Sequence, residues 1–276
     1  MAEARQRLAA VPELQTSAMI DSHWLLAFVL DKSQAWLRTW PEASLASDQY
    51  LHFQQLLARR QAGEPVAYLT GQQGFRELLL QVTPDTLVPR PETELLVELA
   101  IQALPQEQAC SVLDMGTGSG AIALAIKQER PFWQVVATDV YEPTLAVAKA
   151  NAKAHDLALS FTLSDWFQQL AEDKSFDLIV SNPPYIADQD PHLRGVGVRF
   201  EPHRALASGV VGLDAIEHLI EQAPGYLAAG GWMLLEHGHD QAAAIRQRFA
   251  QRGFQQISSH TDLSGIERVT GGRWEQ

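Results

Sequence analysis

The fold of this chain is best predicted from one stretch, Phe176-Asp177-Leu178-Ile179-Val180-Ser181-Asn182-Pro183-Pro184-Tyr185. Its first half is an apolar run bounded by turn residues, which is typical of a buried strand. A stiff polar loop with an aromatic tip follows, so the loop lies at the carboxyl end of that strand. Ligands bind at such strand ends in open α/β sheets. The stretch therefore predicts an α/β sheet with a binding site at this loop.

The loop from Ser181 to Tyr185 offers hydrogen-bond acceptors and few donors. Pro183 and Pro184 lack backbone N–H groups, and Asn182 is pushed toward extended angles because it precedes a proline. The acceptors that remain are the Asn182 side-chain oxygen and the Pro183 carbonyl, while Tyr185 supplies a flat wall. This arrangement suits a planar –NH2 group, which donates two hydrogen bonds and stacks. The alternative is a strand that simply ends in a stiff turn.

Predicted strands and helices alternate on both sides of this stretch, which favours a mainly parallel sheet with helices on both faces. The region from 186 to 212 lacks periodicity, and a long loop after a candidate site is more often functional than not. The predicted strands are Cys110–Met115, Gln134–Asp139, Leu159–Leu163, Phe176–Val180, Trp232–Glu236, Phe254–Ser259 and Arg268–Trp274. The predicted helices are Ala121–Gln128, Pro143–Lys153, Ala215–Leu227 and Ala242–Gln251.

The part of the chain before the sheet has a different texture. Residues 1–68 carry apolar residues at helical spacing and no strand alternation, which predicts a small helical domain. Residues 69–90 predict a strand or hairpin that links it to the region 91–276. Within 91–276, Pro91 and the acids that follow suit a helix start. Three tryptophans are predicted to pack in the helical core: Trp24, Trp36 and Trp40.

The composition is that of an ordinary globular protein. The chain has 276 residues, a formal charge of −12 and a single cysteine, Cys110. The acidic balance argues against binding held by nucleic-acid phosphates alone, and one cysteine allows neither an internal disulfide nor a cysteine zinc cluster. The apolar run Trp24–Leu30 is far shorter than a membrane span. We therefore expect a cytoplasmic protein without a membrane partner.

A second motif, Asp114-Met115-Gly116-Thr117-Gly118-Ser119-Gly120-Ala121, joins the first strand of the sheet to its helix. Glycines here permit a tight turn and close approach of the backbone to a ligand. Gly116, Gly118 and Ala121 also satisfy the dinucleotide pattern G-x-G-x-x-G/A. The loop alone therefore leaves open which adenosine cofactor binds.

Acidic residues at successive strand ends favour one cofactor. Asp114 suits an ammonium group and repels a pyrophosphate, Asp139 is placed for two ribose hydroxyls, and Asp165-Trp166 offers an acceptor and a ring for adenine. Together they predict a pocket for S-adenosylmethionine. The predicted cofactor-binding residues are Asp114, Gly116, Thr117, Gly118, Ser119, Gly120, Asp139, Asp165, Trp166 and Asn182.

These motifs resemble a known family. The Asp-x-Gly-x-Gly-x-Gly loop is similar to the first motif of class I methyltransferases, and Asn182–Tyr185 resembles the signature of enzymes that methylate planar amino nitrogens. Those enzymes include N6-adenine DNA methyltransferases and protein-glutamine methyltransferases. With the helical domain and three further stretches, nearly the whole chain resembles the bacterial release factor glutamine methyltransferase family. The three stretches are Leu87–Glu94, Val198–Pro202 and Glu267–Thr270.

The resemblance implies a Rossmann-like sheet, mostly parallel with an antiparallel last strand, and S-adenosylmethionine as cofactor. It implies N5-methylation of the glutamine in the Gly-Gly-Gln motif of class 1 peptide chain release factors, which residues 1–68 would dock. No stable nucleic-acid partner is expected. The implied catalytic residues are Asn182, Pro183 and Tyr185; the implied substrate-binding residues are these with Pro184, Arg199, Phe200 and Glu201.

Some residues depart from the family pattern, and some rival functions stay open. Gly74, Met19-Ile20 and Gly271-Gly272 are unusual for the family, which affects local packing or docking. An N6-adenine nucleic-acid methyltransferase would need the same loop and a flipped base. An NAD-dependent oxidoreductase would use the glycine loop and leave Asn182–Tyr185 unexplained, and a non-catalytic binding protein would keep the cofactor fold. His237 and His239 lack a third partner at metal spacing, so we predict no metal site.

Overall fold

The computed structural model describes residues 1–171 and 175–276. The chain forms two compact units, the first made of Met1–Gln72 with Arg194–Phe200 and the second of Gln73–Leu193 with Glu201–Gln276. The predicted division at residues 68 and 90, into docking domain, linker and methyltransferase domain, stays a proposal.

The first unit is helical, as predicted. Its core packs Leu8, Leu14, Leu25 and Leu57, each at most 1% exposed. None of the helices in the described residues is long and apolar enough to cross a membrane. The helices are α1 (Ala2–Ala9), α2 (Ala18–Leu30), α3 (Gln34–Thr39), α4 (Ser47–Gln61) and α5 (Val66–Thr70).

The prediction that the tryptophans pack in this core is wrong for two of them. Trp24 is 54% exposed and Trp40 is 59% exposed, while Trp36 is half-buried. Ser22 and Leu25 mark the buried face of α2, and Trp24 lies on the opposite face because successive helical residues are rotated by about 100°. Trp40 follows the last residue of α3 and has left the helix.

The second unit begins with a hairpin and a helix, and its sheet then alternates strands with helices. The hairpin strands are β1 (Gln72–Phe75) and β2 (Leu78–Gln81), and α6 (Glu94–Ala103) follows the 3-10 turn Pro91–Thr93. The sheet strands are β3 (Ser111–Met115), β4 (Gln134–Asp139), β5 (Ser160–Leu163), β6 (Phe176–Ser181), β7 (Leu227–Glu236), β8 (Gln255–Thr261) and β9 (Glu267–Arg273). The helices among them are α7 (Ala121–Glu129), α8 (Glu142–Ala154), α9 (Asp214–Gln222) and α10 (Ala242–Arg252).

The strand order explains where the two motifs meet. The order is β5-β4-β3-β6-β7-β9-β8. Strand β9 runs antiparallel to both of its neighbours, β7 and β8. The chain winds outward in opposite directions from β3 and β6, so a crevice opens between their carboxyl ends. Met115 and Ser181 are paired across these strands, and the Ser181 hydroxyl donates to the Met115 carbonyl at 2.6 Å. The predicted fold class is confirmed.

Both faces of the sheet are covered because neighbouring strand residues point to opposite sides. Val112 and Leu178 pack on one face with α6 and α7, whereas Leu113 and Ile179 pack on the other with α9 and α10.

The unusual glycines of β9 have a packing reason. A Cβ on Gly271 would lie 2.3 Å from Leu234 Cδ2, and a Cβ on Gly272 would lie 3.0 Å from Phe249 Cδ1. A side chain at position 271 would therefore require a neighbour to move, and one at position 272 would be tightly packed.

Candidate active site

A cavity opens at the carboxyl ends of the central strands of the second unit. It lies at the switch point between β3 and β6, where the topology predicts ligand binding. Ten of its lining residues were predicted from the sequence: Gly116, Thr117, Gly118, Ser119, Asp139, Asp165, Trp166, Asn182, Pro183 and Pro184. The structure thus brings both motifs to one cavity, although the role of each residue stays a prediction.

The glycine loop takes a conformation that needs glycine. Gly116, Gly118 and Gly120 have φ angles of 70°, 59° and 87°, a region that side chains disfavour. A Cβ on Gly120 would also lie 2.9 Å from Leu124 Cδ1. The loop backbone is therefore exposed to the cavity at Gly116 and Gly118, while Gly120 allows the following helix to pack closely.

Asp114 does not occupy the position expected for a direct ligand of an ammonium group. Its side chain is fully buried, and Oδ2 accepts hydrogen bonds from Thr117 Oγ1 at 2.6 Å and from the Ala123 N–H at 3.2 Å. Burial raises the pKa of Asp114 to about 7. Its other oxygen, Oδ1, has no hydrogen-bond partner among the described residues. Asp114 thus supports the glycine loop from beneath. It lies on the central strand β3, whose side chains are covered on both faces of the sheet, so its carboxyl is buried.

Asp139 faces the cavity as predicted. Its Oδ2 accepts from the Gly118 N–H at 3.1 Å, and its Oδ1 accepts from the Tyr141 N–H at 3.0 Å. Burial raises the pKa of this carboxyl, and the charge of Arg204 opposes that rise. Each oxygen keeps a lone pair for a further donor, so the carboxylate can accept from a vicinal diol.

Arg204 was not identified from the sequence. Its guanidinium lies 3.8 Å from the centre of the Tyr141 ring, and Nη2 donates to the Asp85 carbonyl and to Thr144 Oγ1. Arg204, Asp85 and Thr144 all line the cavity. No motif marks them, because distant segments meet here only once the chain has folded.

Asp165 and Trp166 line the cavity, as the glycine loop does. The side chain of Asp165 is exposed, and its Oδ2 accepts from Gln168 Nε2 at 2.9 Å. Trp166 has a φ of 50°, and its ring lies 3.9 Å from where a Gly116 Cβ would stand. A ring and an acceptor are therefore adjacent at the cavity wall, as a planar amine-bearing base requires.

The Asn182 side chain forms a hydrogen bond with Thr93. Its Nδ2 donates to Thr93 Oγ1 at 3.2 Å, and its Oδ1 has no hydrogen-bond partner among the described residues. An amide whose nitrogen is engaged in this way presents its oxygen as a free acceptor. Thr93 also lines the cavity. Its role was not predicted, although it belongs to the quoted stretch Leu87–Glu94.

Tyr185 contacts a buried acid. Its ring is partly buried against the core on the α9–α10 face, and its hydroxyl donates to Glu236 Oε1 at 3.4 Å. Burial and the neighbouring Glu236 charge both raise the pKa of Tyr185, so the phenol stays neutral. Tyr185 thus packs into the core beside Glu236, whereas Pro183 and Pro184 line the cavity.

Three predicted substrate residues are divided between the two units. Arg199 and Phe200 belong to the helical unit, where Arg199 donates to the Ala62 carbonyl. Glu201 belongs to the second unit. Its carboxylate is almost fully buried, accepts from the Val88 N–H at 3.0 Å and pairs with Arg90, so it anchors the stretch Leu87–Glu94 in its loop.

The residues present fit S-adenosylmethionine. The backbone of the glycine loop, the Asp139 carboxylate and the pair Asp165–Trp166 all line one cavity. Backbone N–H groups, a carboxylate, and a ring beside an acceptor are groups that the amino-acid, ribose and adenine parts of the cofactor can each use.

Comparison with known proteins defines the class. The family model "Methyltransferase small domain" matches residues 93–199, and the model "PrmC N-terminal domain" matches residues 1–71. The T. thermophilus 16S rRNA N2 G1207 methyltransferase, solved in complex with AdoMet and guanosine, superposes with a TM-score of 0.56. It is 18% identical and covers 74% of this chain and 50% of its own. Fold and site therefore define an S-adenosylmethionine-dependent class I methyltransferase.

Curated relatives define the family. A release factor glutamine methyltransferase of Pseudomonas aeruginosa is 48% identical over 94% of this chain and 93% of its own length. One from Escherichia coli K12 is 43% identical over 97% of each chain. The chain belongs to the release factor glutamine methyltransferase family, and the resemblance seen in the sequence is confirmed.

Proposed function

We propose that the protein transfers a methyl group from S-adenosylmethionine to the side-chain amide nitrogen, N5, of the glutamine in the Gly-Gly-Gln motif of class 1 peptide chain release factors. The observation that carries this proposal is the fixed amide of Asn182. Its nitrogen is engaged by Thr93, and its oxygen is left as an acceptor beside the glycine loop. Family membership supports the release factor as substrate, and hence action in the cytoplasm, where translation ends.

The chemistry explains why acceptors are needed. A carboxamide nitrogen is a poor nucleophile because its lone pair is shared with the carbonyl, as the rotation barrier of about 18–20 kcal/mol for a peptide amide reflects. When bound, the cofactor supplies an electrophilic methyl group on a sulfonium. Asn182 Oδ1 and the Pro183 carbonyl accept both N–H bonds of the glutamine and turn its lone pair toward that methyl group. These bonds strengthen as positive charge develops on the nitrogen.

Other residues bind and orient the partners. Asp139 accepts from the ribose hydroxyls, Asp165 and Trp166 hold the adenine, and Asp114 keeps the glycine loop in place from beneath. Tyr185 positions the loop through its hydroxyl. The approach of the protein substrate is shaped by Arg199, Phe200 and Glu201. Glu201 acts indirectly, through its buried contact with Arg90.

The helical unit docks the release factor away from the reacting glutamine. Ile20, Trp24 and Phe28 follow one another at a spacing of four residues along α2, and all three are exposed, Trp24 to 54%. A row of exposed apolar side chains on one helix face is typical of a surface that binds another protein. Residues 1–68 are thus a docking domain, and 69–90 a linker to the methyltransferase domain 91–276.

The proposal is tested by incubation with labelled S-adenosylmethionine and three acceptors: a class 1 release factor, the same factor with its Gly-Gly-Gln glutamine changed to alanine, and adenine-containing DNA. We expect label in the first acceptor only, and peptide mapping should place one methyl group on the glutamine side chain. Label in DNA, or in the alanine variant at the wild-type level, would contradict the proposal.

A further inference from the structure

The side chain of Gln241, between β7 and α10, forms hydrogen bonds with three separate segments of the second unit. It is half-buried, and its Oε1 accepts from the Gly238 N–H at 2.8 Å. Its Nε2 donates to the Tyr185 carbonyl at 2.9 Å and to the Gly212 carbonyl at 3.2 Å. A primary amide has two N–H donors and one acceptor oxygen. All of these groups are therefore engaged, and one of the bonds reaches the loop that carries Asn182.

The partners of this amide determine its orientation. If the amide were turned over, its oxygen would face the carbonyl oxygens of Tyr185 and Gly212. Its NH2 group would then face the Gly238 N–H. Acceptors would meet acceptors and a donor would meet a donor, so polar groups would lose their hydrogen bonds, which is unfavourable. The donors of Gln241 therefore point toward Tyr185 and Gly212.

Two glycines allow the backbone to approach this amide closely. Gly212 has a φ of 74°, and a Cβ there would lie 2.3 Å from the Tyr185 carbonyl oxygen and 2.9 Å from Gln241 Nε2. A Cβ on Gly238 would be tightly packed, at 3.0 Å from Gln241 Oε1. Glycine at position 212 is thus required both by its φ and by close approach. The space around the Gln241 amide is shaped for these three contacts.

The loop from Asn182 to Tyr185 depends on contacts at its ends. Pro183 and Pro184 carry no backbone N–H, so neither can donate a hydrogen bond that would hold the loop. At its far end, the Tyr185 N–H donates to the Leu206 carbonyl at 3.2 Å, and the Tyr185 carbonyl accepts from the Gln241 amide. These two bonds hold the backbone directly after the prolines.

We propose that Gln241 is a positioning residue for methyl transfer: its NH2 group holds the Tyr185 carbonyl, and so keeps the acceptors of Asn182 and Pro183 where the substrate carboxamide needs them. This inference rests on the proposed function. Asn182 and Pro183 line the cavity, whereas Gln241 acts on them through the backbone at Tyr185. A small displacement of reacting groups can cost about a hundredfold in rate. The contribution of Gln241 therefore belongs to kcat, not to cofactor binding.

The test compares Gln241→Glu and Gln241→Met with wild type in the release factor assay. Gln241→Glu keeps an oxygen for the Gly238 N–H, but an ionised carboxylate has no donor for the two carbonyls. Gln241→Met has a similar length and loses all three bonds. We expect kcat to fall about tenfold to a hundredfold in both variants. The dissociation constant of S-adenosylmethionine, measured by calorimetry, should change less than about threefold.

The pair of variants separates positioning of the loop from support of the turn at Gly238. If Gln241 only stabilised that turn, Gln241→Glu would keep the wild-type kcat and Gln241→Met alone would be impaired. The folded fraction is measured by circular dichroism at the assay temperature, and kcat is expressed per folded protein, so lower stability alone does not lower it. Gln251→Met, at an exposed position near the other end of α10, is the matched control and should behave as wild type.

The possible outcomes distinguish this inference from the proposed function. A wild-type kcat in Gln241→Glu, while the wild-type protein methylates the release factor, would overturn the inference alone. A fall in kcat accompanied by an equal weakening of S-adenosylmethionine binding would also overturn it, because Gln241 would then act on the cofactor pocket. Wild-type protein that does not methylate the release factor would overturn the proposed function, and the inference with it.

Discussion

The orientation of one amide, that of Asn182, determines what this site can do. A primary amide has two donors and an acceptor at nearly the same place, so the loop could offer either to a ligand. In the structure the amide nitrogen donates to Thr93 Oγ1, so the side-chain oxygen is the group left for a ligand. The Asn182 oxygen that remains as an acceptor lies next to the Pro183 carbonyl. Pro183 has no backbone N–H, so it adds an acceptor without a donor.

The first prediction concerns this amide. Asn182→Ala removes the side-chain acceptor, and we expect kcat for release factor methylation to fall at least about a hundredfold, because the lost bond is made most strongly in the transition state. The cofactor is held mainly by other residues, so its dissociation constant from calorimetry should change less than about threefold. Near-normal turnover by this variant would show that the acceptor has been assigned wrongly.

The glycine loop shows, at the scale of an element, why short segments could be predicted and their surroundings could not. The spacing of Gly116, Gly118 and Gly120 predicted a tight turn, and each has a positive φ in the structure. Strand β4 begins and ends at the predicted residues because its apolar run is bounded by turn residues on both sides. Local patterns of this kind depend on neighbouring residues only.

Features that depend on distant contacts were missed or misplaced. Asp114 was expected at the cofactor and is buried beneath the loop, since a strand end does not reveal which way its last side chains point. Trp24 was expected in the core and is exposed, because hydrophobicity alone does not say which helix face is covered. Arg204 and Thr93 reach the cavity only through the tertiary fold.

The second prediction tests the packing of the glycine loop. Gly120→Ala places a Cβ 2.9 Å from Leu124 Cδ1 at a φ of 87°. We expect the free energy of unfolding, measured with urea, to fall by about 1–3 kcal/mol. Gly74→Ala is the matched control, because a Cβ there meets nothing within 4 Å. If the two variants were equally stable, close approach would not be the reason for glycine at position 120.

The third prediction, at the scale of the whole molecule, tests the proposal that the helical unit docks the release factor while the second unit carries the catalytic site. Trp24→Ala removes an exposed aromatic side chain of the kind that often dominates protein interfaces. We expect KM for the intact release factor to rise about tenfold, with kcat and cofactor affinity unchanged. Methylation of a short Gly-Gly-Gln peptide should not change, since it cannot reach the docking surface.

The control for this experiment is Phe132→Ala, which removes an aromatic side chain that is more exposed than Trp24, at 77%, from the other unit. It should leave KM at the wild-type value. A rise in KM for both variants, or for neither, would argue against docking through α2.

The fourth prediction is a pH dependence of stability. Burial raises the pKa of Asp114 from 3.8 to about 7, so the folded state binds this proton more tightly than the unfolded state. The contribution of Asp114 to the free energy of unfolding should therefore be largest at low pH, and it should fall as the pH rises from about 4 to about 7. In Asp114→Asn, which keeps an oxygen for Thr117, the fall should be smaller by about 4 kcal/mol.

The measurement is urea unfolding of both proteins at several pH values between 4 and 8, without cofactor. The contributions of the other acids cancel when the free energy of unfolding of the variant is subtracted from that of the wild type at each pH. Parallel curves would mean that Asp114 has the same pKa in the folded and unfolded states.

The central claim is that the loop presents a glutamine carboxamide to the cofactor through two acceptors. A crystal structure with S-adenosylmethionine and a Gly-Gly-Gln peptide tests it most directly. We predict that the amide nitrogen lies about 2.9 Å from both Asn182 Oδ1 and the Pro183 carbonyl oxygen, and about 3–3.5 Å from the methyl carbon. A carboxamide bound elsewhere, with the methyl group far from Asn182 and Pro183, would contradict the claim.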